Sequence, residues 1–410
     1  MSTSRVPLAS LLAANAISIA GNTLTALAIP WFVLQTTGSV SQTGLVGFFS
    51  LLPFVLSAGL GGALVDRLGY RRMSIFADLA SGASVLMIPL LYHTVGLPLA
   101  ALLALVAAGA LLDAPGQTAR EAILPQLVER AGTTIERGAS LLDGVSRGAR
   151  MVGAPVAGVL IAVLDPANVL FLDAATFGVS ALLMRLFVEG APGAGGAVGS
   201  HGYVADLREG FAYLWHDKLV RAIVAMVVVT NMLDAGMAGV LQPVYADRIL
   251  DSVVALGLMG GALSGGAFMG TLLFAWRGHR LPRVKTLVLA FTVGGAIRYF
   301  VLAVEPGLVP ILGWNALAGI GIGAVNPILG TLQYERVPER LRGRVFGAVT
   351  AGVLAAAPFG ALVAAGCIGL LGLRATLVAF GTVYAACTLS PLVLPAWRDA
   401  GRRPLAEEPG

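Results

Sequence analysis

The sequence predicts an all-α membrane protein, with twelve spanning helices arranged as two six-helix bundles. Three observations carry that expectation. Hydrophobic residues make up 57% of the chain and charged residues 12%, against about 45–50% and about 25% in soluble domains. Twelve apolar runs reach the about 20 residues that a bilayer crossing needs. A polar segment, 189–218, divides those runs six and six.

The runs cover 8–34, 42–65, 73–92, 99–118, 141–164, 167–188, 219–247, 253–276, 284–303, 308–333, 345–368 and 373–394. They lack strict alternation and are too long for strands of a membrane barrel. Their backbone hydrogen bonds must therefore close within helices. The first run exceeds the about 7–15 apolar residues of a cleaved signal and is expected to stay as the first span. The units expected are 1–188 as an N-terminal bundle, 189–218 as a linker, 219–394 as a C-terminal bundle and 395–410 as a tail.

The net charge of +5 and pI near 9.5 raise the question of a nucleic-acid partner. The placement of the charge answers it. With the N-terminus cytoplasmic, every Lys and Arg except Arg248, Arg298 and Arg374 falls on cytoplasmic tails, loops or helix ends. That is the positive-inside bias. It places both termini in the cytoplasm and the chain in the inner (plasma) membrane, with lipid rather than nucleic acid around it. Cys367 and Cys387 sit in apolar runs, so neither a disulfide framework nor a thiolate metal site is expected. His93, His201, His216 and His279 are expected in loops, which argues against a buried histidine relay.

The linker opens with the flexible stretch "EGAPGAGGAVGSHG". Val204, Leu207, Phe211 and Leu214 then recur at helical spacing, opposite Asp206, Arg208 and Glu209. That pattern predicts a short interfacial helix; the alternative is a helical start to the seventh span. The two halves echo each other. "DRLGYRR" follows the second span and "WRGHRLPRVK" the eighth. "AREAILPQLVERAGTTIERG" follows the fourth and "QYERVPERLRGRV" the tenth. Six-span repeats are a feature of transporters whose substrate site lies between the repeats.

The stretch "GALVDRLGYRR", Gly62 to Arg72, holds the densest charge between two apolar runs. It resembles the signature loop of the major facilitator superfamily, G-x-L-x-D-R-x-G-R-[RK], with Tyr70 where a basic residue is usual. The resemblance implies the two-bundle fold and a gating role for Gly62, Asp66, Arg67, Gly69, Arg71 and Arg72. In that family the carboxylate matching Asp66 packs on the N-terminal end of span eleven, where a helix dipole favours an anion by about 0.3–1 kcal/mol. The plainer alternative is a solvated turn that only sets topology. "GVSRGARMVGAPVAGVLIA", Gly144 to Ala162, resembles the fifth-span glycine–proline motif of exporters in the same superfamily, carried here by Gly148, Gly153, Pro155 and Gly158. With "AREAILPQLV" and "ERVPERLRGRVFGA" it is similar to the branch of drug, macrolide and siderophore exporters. These glycines, and Gly257, Gly261 and Gly265, equally suit close helix contact.

Polar residues recur on one face of four spans: Asn15, Ser18, Asn22 and Thr25 in the first; Asp113, Gln117 and Arg120 in the fourth; Asn231, Asp234 and Gln242 in the seventh; Asn315, Asn326 and Gln333 in the tenth. The resemblance implies that these four helices line a central cavity. The alternative is hydrogen bonding between helices without one. Asp113 and Asp234 are the leading candidates for proton coupling or substrate contact. A charge at a helix centre costs about 2.5–3.5 kcal/mol on insertion scales, which suits a group that loads and releases a proton. Arg120 is expected to offset Asp113, and Arg298 to reach the membrane surface or pair with Glu305. Asp78 and Asp173 are expected to be structural.

Three patterns are set aside. "GVSRG" lacks the strand-to-helix turn of a nucleophile elbow, "GIGIG" follows no strand, and neither Lys218 nor Lys285 sits in a P-loop. No cofactor, metal or catalytic constellation is expected. The reading is a monomeric secondary transporter exporting an amphipathic or hydrophobic compound in exchange for protons. Uniport or proton-coupled uptake, and a non-transporting receptor or scaffold, are the alternatives.

Overall fold

Helix starts fall where the sequence supplies an oxygen for the orphan backbone donors. Ser39 accepts from Gln42 N at 3.3 Å, Thr134 from Arg137 N at 3.3 Å and Ser252 from Ala255 N at 3.2 Å. Asp217 Oδ1 accepts from both Leu219 N at 2.8 Å and Val220 N at 2.9 Å. The turn between the second and third helices is made by Gly69 at φ +80°, a conformation open to glycine at little cost.

The computed structural model describes residues 4–189, 209, 212–213, 215–337 and 341–397. The side chains at 58–64, 66, 67, 279, 343 and 396 lie outside that description. Among the described residues, twelve helices are long and apolar enough to cross a membrane. They are α1 Val6–Thr37, α2 Val40–Leu68, α3 Tyr70–Thr94, α4 Leu99–Arg130, α5 Ile135–Leu164 and α6 Pro166–Phe187. The second set is α7 Lys218–Arg248, α8 Val253–Arg277, α9 Arg283–Val304, α10 Leu308–Arg336, α11 Arg342–Leu371 and α12 Leu373–Val393. No strand occurs among the described residues. The twelve expected spans are all present. The helices overrun several of them, most of all α4, which continues from 118 to Arg130 on charged residues that leave the apolar layer without ending the helix.

In the first bundle α1 packs on α5 and α6, α3 on α4 and α6, and α2 on α4. In the second, α8 packs on α10, α7 on α11 and α9 on α12. The bundles meet through α2–α11 and α5–α8. Within a bilayer no hydrophobic effect drives helices together, so close packing of small residues has to. A Cβ on Gly323 would lie 2.5 Å from Ala267 O and Thr271 N of α8, and Gly266, Gly270 and Gly319 meet equally tight backbone.

His93 corrects its expected loop position. It lies in the last turn of α3, with Nε2 3.0 Å from Asn168 Oδ1. His216 is helical, and His279 lies in the short turn Gly278–Arg280. Both follow from helical backbone that continues beyond the apolar runs. His201, and nearly all of the expected interfacial helix and its polar face, lie outside the described residues. So do the side chains of Asp66 and Arg67 and the surroundings of Gly62.

The α8–α10 contact yields a prediction. Gly323→Val is expected to lower the melting temperature of the detergent-purified protein, since overpacking costs about 1–3 kcal/mol. Gly178→Ala, where a Cβ meets nothing within 4 Å, should leave it unchanged. Thermal unfolding followed by size-exclusion fluorescence checks both.

Candidate functional site

A cavity of about 550 Å³ lies between the bundles, within the range of about 300–1,000 Å³ usual for small-molecule sites. Its walls come from α1, α2, α3, α4 and α6 on one side and α7 and α11 on the other. Most lining side chains are apolar, among them Ile29, Leu51, Phe54, Val106 and Leu354. The polar ones are Asn22, Thr25, Ser50, Ser81, Asp113 and Asn231, and Asp113 carries the lone charge of this lining.

Asp113 is held by two carboxamides. Asn22 Nδ2 donates to Oδ1 at 3.1 Å and Gln117 Nε2 to Oδ2 at 3.0 Å. Asn22 comes from α1; Gln117 is one turn on along α4. Arg120 offsets the Asp113 charge as expected, but its direct contact is with another acid. Arg120 is 1% exposed, and its Nη1 donates to Asp78 Oδ1 at 3.0 Å and Oδ2 at 3.2 Å. Ser180 Oγ donates to Asp78 Oδ2 at 2.7 Å, and Arg120 Nη2 donates to Ser18 Oγ at 3.2 Å. A buried charge needs a partner at contact distance, and Asp78, fully buried on the facing helix, is that partner. Asp78 and Arg120 thus brace α1, α3, α4 and α6 together.

Asp234 lies one turn from the cavity-lining Asn231 but outside the lining itself. Arg298 Nη2 of α9 donates to its Oδ1 at 3.3 Å, and Tyr384 OH of α12 to its Oδ2 at 3.1 Å. The Asp234 side chain is 37% exposed and that of Arg298 7%. The expected reach of Arg298 to the surface or to Glu305 is therefore corrected. Glu305 sits exposed beyond the end of α9 at φ +55°, whereas Arg298 points back into the bundle. A Cβ on Gly295 would overlap the Tyr384 ring, so this glycine lets the tyrosine reach Asp234. Two π-helical turns, Met237–Leu241 and Thr292–Ala296, flank the pair. Such turns recur at functional sites; glycines at 239, 294 and 295 were their faint sequence signal.

The other expected residues scatter. Asn15 donates to Ser146 Oγ of α5 at 2.8 Å, away from the cavity. Asn315 is 1% exposed with neither amide atom bonded among the described residues, and Asn326 is exposed. α10 contributes nothing to this lining, because its glycines draw it against α8. Its place among four lining helices is filled by α2 and α11. Asp173, expected to be structural, is fully buried and accepts from Thr25 and Thr176 hydroxyls. Arg71 Nε donates to Met184 O at 3.3 Å and Nη2 to Arg185 O, so it satisfies the C-terminal carbonyls of α6. Arg72 is exposed.

The two ends of the interface differ. At the end away from the termini, Gln35 Nε2 of α1 donates to Asp247 Oδ1 of α7 at 2.7 Å. There a Cβ on Gly158 would lie 2.9 Å from Val253 O, one on Gly47 2.7 Å from Ala361 Cβ, and the side of Gly261 meets Pro155. Gly153 instead faces Thr23 of α1. Toward the terminal end, Gly144 and Gly148 of α5 meet nothing within 4 Å. The contacts recorded between the bundles thus include a polar bond and tight glycine packing at the end away from the termini. No cluster of three or more His, Cys, Asp or Glu able to hold a metal occurs among the described residues.

The sequence matches the description Major Facilitator Superfamily over residues 11–247 and 224–409. It is 33% identical over 403 residues to the "Multidrug efflux pump Tap" of Mycolicibacterium fortuitum, covering 97% of this chain and 98% of that protein. It is 22% identical to "Macrolide efflux protein A" of Streptococcus pyogenes, covering 86% and 87%. In fold it is similar to the crystal structure of the nucleoside transporter NupG, with a TM-score of 0.76 at 13% identity, covering 96% of this chain and 99% of that one. The twelve helices, the paired bundles and the full-length match agree: this multi-pass membrane protein belongs to the Major Facilitator Superfamily.

Proposed function

We propose that the chain exports amphipathic, largely apolar organic compounds in exchange for protons, through alternating access of the cavity. The observation that carries this is a single carboxylate, Asp113, set in the apolar walls of a cavity between two bundles that are joined at the end away from the termini. The relatives named as multidrug and macrolide efflux proteins support the direction and the substrate class. On this reading the distribution of Lys and Arg assigns the terminal end to the cytoplasm, and the Gln35–Asp247 contact lies at the outer end. The protein then sits in the plasma membrane with both termini inside and works as a monomer, with no nucleic-acid partner. Labelling of single cysteines in a background lacking Cys367 and Cys387 checks this: one at residue 93 should react from outside, one at residue 200 only after permeabilisation.

Asp113 is the acid that exchanges substrate and proton. Protonation removes its charge and with it the state preference that the charge imposes. Asp234 and Arg298 form an ion pair that ties α7 to α9 within the other bundle. The signature loop acts away from the cavity: Gly69 makes the turn, Arg71 holds the end of α6, and Asp66 sets the balance between states.

Proteoliposomes with an imposed pH gradient and a panel of amphipathic compounds test the reading. Asp113→Asn should reduce gradient-driven export about tenfold or more, equivalent to about 1.4 kcal/mol on the limiting barrier, while the protein stays folded. Full activity in that variant would remove Asp113 from the mechanism. Asp234→Asn should instead lower thermal stability, because it leaves Arg298 without its counter-charge. Breaking a buried pair costs about 3–5 kcal/mol, and the partial exposure of Asp234 puts this one at or below the low end. The double variant Asp234→Asn/Arg298→Gln should recover part of the loss in a melting assay.

A further inference from the structure

Asp173 of α6 has no exposed surface, and no cation partners it among the described residues. Its two contacts are hydroxyls. Thr25 Oγ1 of α1 bonds Oδ2, and Thr176 Oγ1, which donates to Asp173 O at 2.8 Å, also lies 3.2 Å from Oδ1. The approach of the two helices is built around this group, since a Cβ on Gly21 of α1 would overlap both Thr176 Oγ1 and Asp173 Oδ1. The charges on the surrounding elements do not compensate it. α1 carries none. On α3 the nearby acid, Asp78, is bound to Arg120 of α4. The half of α5 that packs here, 151–164, has none. On α6 itself Asp165 and Arg185 lie at opposite ends. Asp113, bonded to Asn22 of α1, adds a carboxylate of the same sign.

An ionised carboxylate in such a place would have hydroxyl donors but no counter-charge to offset its desolvation. A carboxylic acid would not: its O–H donates to Thr25 Oγ1, and its other oxygen keeps the Thr176 hydroxyl. Access is short. Thr25 itself lines the cavity, as does Phe177, one turn from Asp173 on the same helix. We propose that Asp173 is a second proton-binding site, loaded from the cavity past Thr25 and occupied in this conformation. The proton comes from cavity water, forms an O–H bond on an Asp173 oxygen, and returns to cavity water on release; no electrons move. Asn22 and Thr25, three residues apart on one face of α1, each bond one of the two acids, Asp113 and Asp173. Its use in transport rests on the proton-exchange reading above; its occupancy does not.

Infrared spectroscopy of the purified full chain reads occupancy without transport. At neutral pH, the wild-type minus Asp173→Asn spectrum should show the carbonyl stretch of a protonated carboxyl. Thr25→Val, which keeps the acid and removes its partner, should move that band in frequency. A carbonyl region identical in wild type and Asp173→Asn would overturn the proposal. Should Asp173→Asn fail to fold, an unmoved band in Thr25→Val would do the same. A band present in a protein that shows no proton-driven export would leave this site standing and refute only the exchange reading.

Discussion

One uncharged helix hydrogen-bonds four carboxylates, and the arrangement of the protein depends on it. α1 carries no charged residue from Val6 to Thr37. Yet Ser18 contacts Asp78 of α3, Asn22 contacts Asp113 of α4, Thr25 contacts Asp173 of α6 and Gln35 contacts Asp247 of α7. The hydrocarbon layer offers no water to satisfy a polar group. The three acids inside the first bundle, Asp78, Asp113 and Asp173, must therefore find donors within the protein, and α1 supplies one to each.

The buried acids differ in how completely their charge is offset, and that difference separates structure from function. Asp78 has an arginine and a serine, all dry, and it ties the first bundle together. Asp234 has an arginine and a tyrosine but keeps partial exposure. Asp113 has two neutral amides and faces the cavity. Asp173 has two hydroxyls. A carboxylate fixed by a guanidinium loses much when it takes up a proton, whereas one held by amides or hydroxyls loses little. For the proton exchange proposed above, the last two are accordingly better suited than the first.

The sequence made the spans, their number and the charged turns legible, because hydropathy and loop chemistry are local. The partners of Arg120 and Arg298 were not. Helical spacing put Arg120 two turns from Asp113, and only the packing of α3 against α4 reveals Asp78, 42 residues away in sequence. Arg298 reaches Asp234 over a separation of 64 residues, across π-turns that no periodicity announces. α10 misled for a similar reason. Its polar residues share a face, but four glycines on α8 and α10 decide which way it leans.

The same small residues set what must break when the cavity changes sides. Three of the four acids touched by α1 belong to its own bundle and travel with it in a rigid-body rotation. Asp247 belongs to the other. The Gln35–Asp247 bond therefore has to be lost when the joined end opens, together with the contacts of α5 on α8 and α2 on α11. Those contacts are made by glycine and alanine against backbone, so they separate without stranding a buried polar group. Gln35 and Asp247 are themselves exposed and can exchange each other for water. The joined end is thus held by interactions that are individually weak and reversible, and the costly ion pairs are kept inside the bundles, where the motion does not reach them.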